Sequence, residues 1–528
     1  MTQEIVLATI LTGAIILFFT LGPGRAFRQR RRSLAGAPRP QRFDRNLIVI
    51  GGGAAGLVSA YIAAAVRAKV TLIEKHRMGG ECLNTGCVPS KALIRSARLI
   101  HETRHAAALG CRTGDIDFEF ATLMERVQQV IRKIAPHDSV ERYTAMGVEC
   151  ILGEARIVSP YSVTVNGRTL TSRNIIIATG RTPKIPDLPG IETTGYLTTD
   201  TIWNLRECPR RLLILGGGPV ACELAQTFQR LGSQVTLALR GSRLLKKEDP
   251  EISTLIGEQF LREGIVLRTD LDMLGFAVEQ GEKHLLARRQ GTSLRIPFDQ
   301  LLIAIGGKAN VSGFGLEALG VELNEDGTLW TNGLQQTNIP TLWTAGDVAG
   351  PLAYTHVAAH QAWYAVVNAL FGSLKKFRTD YSVIPHATFT DPEVAAVGLN
   401  EQEAKGRGIP FETTTYPLDD LDRAIADEDV LGWVKVLTVP GKDKILGVTI
   451  VGRHAAEMIA EFVLAMRHGL GMNRILSTIH SYPTFSEANK FAAGVWKKNH
   501  QPKRLLAWVA RFHAWQRGEG GRSQTPLD

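Results

Sequence analysis

Residues 79–91 read Gly-Gly-Glu-Cys-Leu-Asn-Thr-Gly-Cys-Val-Pro-Ser-Lys and hold two of the six cysteines in this 528-residue chain. A disulfide between Cys82 and Cys87 would close a small, reducible ring. Six cysteines are too few for a disulfide scaffold in a chain of this size, and an isolated close pair favours redox chemistry. We therefore predict a catalytic dithiol that works in a reducing compartment.

A glycine turn lies just upstream of this segment. It follows the apolar run 46–50, and a second apolar run, residues 69–73, ends at Glu74. This spacing is typical of a turn that admits a pyrophosphate to a helix N-terminus, with an acid that accepts hydrogen bonds from ribose hydroxyls. The turn glycines are Gly51, Gly53 and Gly56. The sequence therefore predicts a dinucleotide site beside the dithiol.

A second turn of the same kind follows the apolar run 211–215. No acid ends the strand after this turn; Leu239 and Arg240 stand there, and Lys246 follows shortly. An acid would repel a 2′-phosphate, whereas arginine donates to it in bidentate fashion. This site is therefore predicted to prefer NADPH over NADH. Its predicted turn residues are Gly216, Gly218 and Ala221.

The formal net charge of +10 comes from the two ends of the chain. Residues 21–45 carry +7 and residues 496–528 carry +5, so the central body is nearly neutral. Nucleic-acid binders usually carry their basic charge on the folded module, so we expect no nucleic-acid partner. The length predicts about three or four domains at ~150 residues each.

Both ends suggest a membrane. Residues 5–22 form an uncharged apolar run followed by an arginine cluster, which predicts an uncleaved anchor within residues 1–24 and a basic linker over 25–45. The positive-inside rule then places the catalytic body on the cytoplasmic side. Residues 499–528 form a basic tail with an amphipathic helical pattern. That helix is predicted either to lie in a membrane interface or to pack on the body or on a dimer partner.

Taken together, the two glycine turns and the dithiol resemble the class I pyridine nucleotide-disulfide oxidoreductases, which include glutathione reductase, dihydrolipoamide dehydrogenase and mercuric reductase. The resemblance covers about residues 46–495 and is strongest to mercuric reductase around residues 235–252. It implies two Rossmann-like α/β domains, for FAD and NAD(P)H, and a C-terminal α+β dimerisation domain after the membrane helix. The implied bounds are 46–185 and 306–374 for FAD binding, 186–305 for NAD(P)H binding and 375–498 for dimerisation.

The resemblance also implies roles for individual residues. Cys87 would be the thiolate next to the flavin, and Cys82 the outer thiol that meets the acceptor. Cys87 precedes Pro89, a residue typical of a helix's first turn, and a helix N-terminus lowers a thiol's pKa. Lys91 would lie near the flavin with Glu223 as its ionic partner. The other implied cofactor contacts are Glu74, Gly180 and Asp347 for FAD, and Gly306 with Arg240 and Lys246 for NADPH.

The acid-base segment departs from the family pattern. Disulfide reductases of the family have a His-Pro segment followed by a glutamate, but here Tyr482 precedes Pro483, with Glu487 following. A phenol with an ordinary pKa of about 10 is a poor base at neutral pH. His480, two residues upstream, is a candidate replacement. Mercuric reductases also carry tyrosine here, but their C-terminal cysteine pair is missing, because no cysteine follows Cys222.

These features predict a homodimeric enzyme that passes electrons from NADPH through FAD and the Cys82–Cys87 pair to an acceptor. The tyrosine favours a soft metal ion, such as Hg(II) or Cu(II), or another non-glutathione acceptor. Reduction of dihydrolipoamide-type or other disulfides is the alternative. Two further hypotheses are a redox sensor or membrane scaffold with low catalytic turnover, and a flavoprotein that reduces a quinone. No resident metal site is predicted, because the remaining cysteines lack metal-ligand spacing (Cys111, Cys150, Cys208 and Cys222).

Overall fold

The computed structural model describes residues 38–112 and 116–519. The chain forms two units: one extends to Lys246 and resumes over Thr254–Tyr381, and the other combines Lys247–Ser253 with the chain from Ser382 onward. The strands are β1 (Arg45–Ile50), β2 (Val70–Glu74), β3 (Val148–Leu152), β4 (Arg156–Ser159), β5 (Ser162–Val165), β6 (Arg168–Ile177), β7 (Arg181–Pro183), β8 (Leu197–Thr198), β9 (Arg211–Leu215), β10 (Gln234–Ala238), β11 (Val266–Arg268), β12 (Asp272–Glu279), β13 (Glu282–Arg289), β14 (Thr292–Phe298), β15 (Gln300–Ile303), β16 (Gly307–Ala309), β17 (Leu342–Thr344), β18 (Pro385–Thr388), β19 (Glu393–Gly398), β20 (Glu412–Pro417), β21 (Trp433–Thr438) and β22 (Ile445–Gly452).

The α-helices connect these strands. They are α1 (Ala54–Ala65), α2 (Gly80–Asn84), α3 (Cys87–Arg104), α4 (Phe120–Ile134), α5 (Val140–Ala145), α6 (Ile191–Thr194), α7 (Pro219–Arg230), α8 (Pro250–Arg262), α9 (Thr355–Phe371), α10 (Glu401–Gly406), α11 (Asp422–Ala426), α12 (Ala455–Arg467), α13 (Met472–Leu476), α14 (Glu487–Asn499) and α15 (Lys503–Gln516).

The first unit is built on two sheets that each carry a glycine turn. In one sheet the order is β3-β2-β1-β6-β5-β4, with β17 also paired to β6; β1, β2, β3, β6 and β17 run parallel. In the other the order is β11-β10-β9-β15-β8, all parallel. Their central strands are apolar and buried, as strands covered on both faces should be. Both glycine turns follow the carboxyl end of a central strand, where ligands bind in such sheets.

The second unit has an antiparallel sheet in the order β18-β19-β22-β21-β20. Its core includes Phe462 of α12 and Trp496 of α14, which are 0% and 5% exposed. Residues 247–253 belong to this unit because their polar groups bond within it. The Asn400 side chain donates to the Lys247 carbonyl at 2.7 Å, and Asp249 accepts from the Gln402 backbone at 2.9 Å. The predicted α/β architecture with a C-terminal α+β domain is confirmed.

The membrane part of the fold prediction is wrong. Within residues 38–112 and 116–519, no helix is both long enough and apolar enough to cross a bilayer. The longest, α3, has 18 residues but carries ionic side chains such as Lys91 and Arg95, which a hydrocarbon core would have to desolvate. This finding overturns the membrane-anchored architecture and the membrane location predicted from the sequence. The anchor predicted over residues 1–24 lies outside the described residues.

Candidate active site

The two cysteines of the redox segment lie in consecutive helices. Cys82 is in the short helix α2, and Cys87 is the first residue of α3 with Pro89 in its first turn. Gly79 leads into α2 with a φ of +89°, and a Cβ there would meet the Leu83 side chain. Both cysteines are free thiols in this structure. The local sequence thus presents the Cys87 sulfur at a helix N-terminus, where the backbone dipole favours a thiolate.

The two thiols differ in how readily they ionise. The pKa of Cys87 is lowered to about 6, first by the hydrogen bond that Cys82 donates to its sulfur, and then by the Thr355 hydroxyl and the Lys91 ammonium. Burial works in the opposite direction. The pKa of Cys82 is raised, because its thiol keeps the proton that it donates to Cys87 and because it is partly desolvated. Cys87 is therefore the first of the pair to become a thiolate.

An ion pair stands beside the dithiol. Lys91 lies one turn after Cys87 on α3, and its Nζ donates to Glu223 Oε2 at 2.7 Å. The Glu223 side chain is 5% exposed, whereas Lys91 is 35% exposed. Glu223 belongs to α7, the helix that begins at the second glycine turn. This pair therefore links the dithiol helix to the predicted NADPH-binding helix.

Thr355 was not identified from the sequence, because it lies 268 residues from its cysteine partner. Thr355 is the first residue of α9, and its hydroxyl is 3.5 Å from Cys87 Sγ.

We expect Thr355→Val to raise the pKa of Cys87 by about one pKa unit, or ~1.4 kcal/mol, because the thiolate loses a hydrogen-bond donor. Iodoacetamide trapping of the reduced protein from pH 5 to 9, with mass spectrometry of the modified cysteine, measures this shift. Thr85→Val is the control, because the Thr85 hydroxyl bonds Asp200 instead; an unshifted Thr355→Val profile would contradict the assignment.

The first glycine turn has the geometry of a pyrophosphate site. Gly51 has a φ of +107°, and a Cβ on Gly56 would overlap the Gly51 carbonyl oxygen, so the turn accepts no side chain at either place. Gly53 caps α1 without a side-chain hydrogen bond, which leaves backbone N–H groups at the helix start for an anion. Glu74 is 9% exposed and accepts from the backbone N–H of Gly52 at 2.6 Å. These residues fit the adenosine diphosphate half of FAD.

A second cluster extends from this turn toward the dithiol. Arg181 Nε lies 3.0 Å from Asp347 Oδ2 and 3.9 Å from Glu81 Oε2. Burial raises the pKa of Asp347, against the attraction of Arg181. Burial also raises the pKa of Glu81 to about 7, although water reaches 42% of its side chain and moderates the effect. Gly180, with a φ of +64°, directly precedes Arg181.

Neither Glu81 nor Arg181 was singled out from the sequence. Gly80 packs against Gly53 of the first glycine turn, and Cys82 follows two residues later. Glu81 therefore lies between that turn and the dithiol. An acid immediately before a redox cysteine was a visible signal. Its ionic neighbour was not, because Arg181 comes from β7, a hundred residues later. Asp347, which is predicted to contact FAD, has the positive charge of this arginine beside it.

The second glycine turn repeats the first with basic surroundings. Gly216 has a φ of +131° and packs near the Ala221 methyl, and Gly218 caps α7 without a side-chain hydrogen bond. Arg240 and Lys246 are exposed after β10. The loop between them is tied to the turn by the Leu245 N–H, which donates to the Gly217 carbonyl at 2.7 Å. Gly306, with a φ of +95°, lies in the exposed loop after β15.

Arg243 is a further cation that the sequence reading missed in this loop. It is partly exposed, and its Nη2 donates to the Lys246 carbonyl at 2.9 Å. The loop therefore gathers three cations near the end of β10. A cluster of this kind can surround a phosphate on a nucleotide ribose.

The predicted acid-base residues lie in the second unit. Tyr482 is 71% exposed, and its hydroxyl donates to Asp422 Oδ2 at 2.8 Å, which raises the pKa of the phenol. His480 has both ring nitrogens directed at acceptors, the Thr478 carbonyl and the Glu461 carboxylate, the latter at 3.0 Å. Glu487 is 7% exposed and accepts from the Thr484 backbone at 3.1 Å. Asp422 was missed by the sequence reading, because it lies 60 residues before Tyr482.

The remaining cysteines lie apart from this chemistry. Burial raises the pKa of Cys150 and Cys208, and it raises the pKa of Cys222, which is fully buried. Cys111 is exposed. Across residues 38–112 and 116–519, no group of three or more His, Cys, Asp or Glu side chains is arranged to hold a metal ion. The thiol whose pKa is lowered toward neutrality is Cys87 of the 79–91 segment.

Two dinucleotide turns joined to an ionisable dithiol define a pyridine-nucleotide-dependent flavoprotein oxidoreductase. Residues 45–362 match the pyridine nucleotide-disulphide oxidoreductase family, and residues 384–493 match the dimerisation domain of the same family. The chain belongs to this family. It is an FAD-containing enzyme that uses a pyridine nucleotide, and its dimerisation domain supports a homodimer.

Similar proteins are found among several members of this family. A mercuric reductase of Lysinibacillus sphaericus is 35% identical over 459 residues, which cover 86% of this chain and 83% of that protein. A dihydrolipoyl dehydrogenase of Chlamydia muridarum is 33% identical over 453 residues, 83% of this chain and 94% of that protein. Among solved structures, the Cu(II) complex of the HOCl-induced flavoprotein disulfide reductase RclA of Escherichia coli has a TM-score of 0.75 and 26% identity, covering 84% and 98% of the two chains.

Proposed function

We propose that this enzyme uses NADPH to reduce a soft metal ion, or another acceptor that needs no protonated leaving thiol, through the Cys82–Cys87 pair. The observation that carries this proposal is the hydroxyl of Tyr482, which stands in place of the family's histidine and is hydrogen bonded to Asp422. A phenol whose pKa is raised further by a neighbouring carboxylate is a still weaker base at neutral pH. Reduction of a small disulfide requires that base, whereas reduction of a thiol-bound metal ion does not.

The residues of the first unit support the electron path. FAD, when bound, accepts a hydride from NADPH and delivers two electrons to a disulfide. Glu74, the glycine turn and the Asp347–Arg181 pair would hold it. Lys91 stabilises the Cys87 thiolate, which leaves the Cys82 thiol to meet the acceptor. Two electrons, passed to one Hg(II) or singly to two Cu(II), re-form the Cys82–Cys87 bond and release the one proton that Cys82 carried, because Cys87 is already a thiolate.

The similar proteins include enzymes that act on metal ions and enzymes that act on disulfides. Mercuric reductases from three organisms are 34–35% identical to this chain, and the E. coli flavoprotein disulfide reductase was solved with Cu(II). Dihydrolipoyl and dihydrolipoamide dehydrogenases are 32–35% identical, so a disulfide acceptor is the second candidate. That candidate is favoured by Glu487, the acid that in disulfide reductases accompanies the histidine and that is kept and buried here.

Anaerobic turnover of the purified enzyme with NADPH tests the acceptor. We expect thiol-complexed Hg(II) or Cu(II) to be reduced faster than glutathione disulfide or lipoamide by at least about 100-fold, the effect of a missing acid-base group. Tyr482→His should raise the disulfide rates, and Tyr61→His, an exposed tyrosine of the other unit, should not. Rapid reduction of lipoamide or glutathione disulfide by the unmodified enzyme would refute the metal-ion proposal.

The preference for NADPH has its own test. Arg240→Glu places an acid where the family's NADH-preferring sites have one, so we expect it to raise the KM for NADPH about 30-fold, or ~2 kcal/mol for a charge-assisted hydrogen bond lost. The KM for NADH should fall or stay unchanged. Arg210→Glu, an exposed arginine at the opposite end of β9, is the matched control. Equal losses with both nucleotides would show that Arg240 does not read the 2′-phosphate.

A further inference from the structure

The C-terminal helix α15 exposes an apolar stripe that its own chain does not cover. None of its residues is buried, and the exposed fractions of Trp508, Phe512 and Trp515 are 62%, 39% and 70%. With Leu505, these side chains recur at intervals of three and four residues, which places them along one face. A 14-residue helix that buries none of its residues is only marginally stable in water. We therefore expect another surface to cover this apolar stripe.

The start of α15 is held firmly by the second unit. Trp496 at the end of α14 is 5% exposed, and the His500 ring stacks on it with the ring centroids 4.3 Å apart. His500 Nε2 also lies 2.7 Å from the Glu412 carboxylate. Only residues 500–502 separate α14 from α15. The stripe is therefore a continuation of the domain that the family uses for dimerisation, which matches residues 384–493.

The same unit carries a surface of complementary chemistry. Residues 417–430 contain six acids and one arginine, and their exposed apolar side chains include Ile425 and Val430, at 51% and 40%. Helix α15 contains Lys503, Arg504 and Arg511 and no acid. Each copy of the chain thus has one basic apolar surface and one acidic apolar surface. A two-fold dimer would use both surfaces twice, since contacts across a two-fold axis are reciprocal.

We propose that α15 docks on residues 417–430 of a second copy of this chain and forms part of the dimer interface. The apolar stripe would cover Ile425 and Val430, and the basic residues would face the acids around them. This contact also has a bearing on the acceptor site, because Asp422, which holds the Tyr482 hydroxyl, lies in the docking segment. That last link rests on the proposed role of Tyr482, whereas the docking itself does not.

A dissociation measurement on the FAD-loaded, full-length protein tests the docking. Trp508→Glu with Trp515→Glu should raise the dimer dissociation constant at least tenfold, because the substitutions place charge in the apolar contact. Leu374→Glu is the control, since Leu374 is an 86% exposed apolar residue of the other unit. Arg504→Glu with Arg511→Glu should also weaken the dimer, and combining it with Asp419→Lys and Glu428→Lys should restore affinity. Unchanged dissociation constants for the tryptophan variant overturn the proposal.

A cross-link identifies the surface independently of affinity. One tagged chain carrying Trp508→Cys is mixed with an untagged chain carrying Ile425→Cys, and the mixture is oxidised mildly. The proposal requires a covalent heterodimer that Trp508→Cys paired with Leu374→Cys does not give. Loss of binding to anionic vesicles in the tryptophan variant, with the dimer intact and no cross-link, would assign the stripe to a lipid surface and overturn the proposal. Activity of the dimer with glutathione disulfide would refute the proposed acceptor but leave the docking result standing.

Discussion

Replacing Cys82 with serine is expected to lower acceptor turnover by more than about 1000-fold, the scale seen when a catalytic nucleophile is removed. The loss follows from the division of labour between the two thiols. Cys82 keeps its proton while Cys87 ionises first, and the family resemblance assigns the contact with the acceptor to Cys82. Anaerobic stopped-flow measurements separate the steps, because bleaching of the flavin by NADPH should persist when acceptor reduction is lost.

The same variant separates the remaining hypotheses about the acceptor. Direct transfer from flavin to a quinone would survive the loss of the dithiol, so quinone turnover that is unchanged in Cys82→Ser would contradict the dithiol path. Cys208→Ser is the matched control, since its half-buried thiol bonds Ser233 and not the redox pair. A separate Cys82→Ala variant, which leaves no donor at this position, should raise the pKa of Cys87, because the hydrogen bond from Cys82 is the largest influence that lowers it.

Replacing Lys91 with methionine is expected to lower the free energy of unfolding by about 2 kcal/mol, less than the ~3–5 kcal/mol of a fully buried ion pair, because solvent reaches 35% of the Lys91 side chain. The reason is the asymmetry of the pair: the Glu223 carboxylate is only 5% exposed and would lose the ammonium that faces it. Urea unfolding at pH 7 measures the change. The pKa of Cys87 should rise in the same variant, because the Lys91 charge helps to lower it.

Two further variants keep this prediction falsifiable. Adding Glu223→Gln to Lys91→Met removes the buried charge and should recover much of the lost stability, which a double-mutant cycle quantifies. Arg132→Met is the matched control: its partner Glu125 is 47% exposed, and exposed pairs contribute about 0–1 kcal/mol. Equal losses for Lys91→Met and Arg132→Met, or no recovery in the double variant, would show that the pair is not a buried electrostatic unit.

The sequence predicted those parts of the site that depend on local geometry. Gly51 and Gly216 adopt backbone angles that favour glycine, so each turn can be predicted from its own few residues. Cys87 sits at a helix start that Pro89 already indicates. The membrane architecture and location were predicted from an apolar run near the N-terminus, and an apolar run reports hydrophobicity alone. Within residues 38–112 and 116–519 no helix is long and apolar enough to cross a bilayer, and the anchor residues themselves lie outside that part of the chain.

What the sequence could not predict are the contacts that join distant elements. Thr355 meets Cys87 across 268 residues, and Asp422 meets Tyr482 across 60. Arg181 lies between Asp347 and Glu81, and these three residues come from three separate parts of the chain. No periodicity or spacing encodes such pairs, because they arise only when separate strands and helices pack together.

By itself, the sequence determined the chemistry of this protein: a dithiol, two dinucleotide turns and a tyrosine in place of a histidine. These features are local, and short segments fold into them under backbone and side-chain rules that act over a few residues. Only the tertiary structure decided how that chemistry is tuned. It brings the Thr355 hydroxyl to the Cys87 thiolate, leaves Cys82 protonated, and joins the Tyr482 hydroxyl to Asp422. The physical reason is that pKa values depend on charges, hydrogen bonds and burial in space, which the order of residues along the chain does not specify.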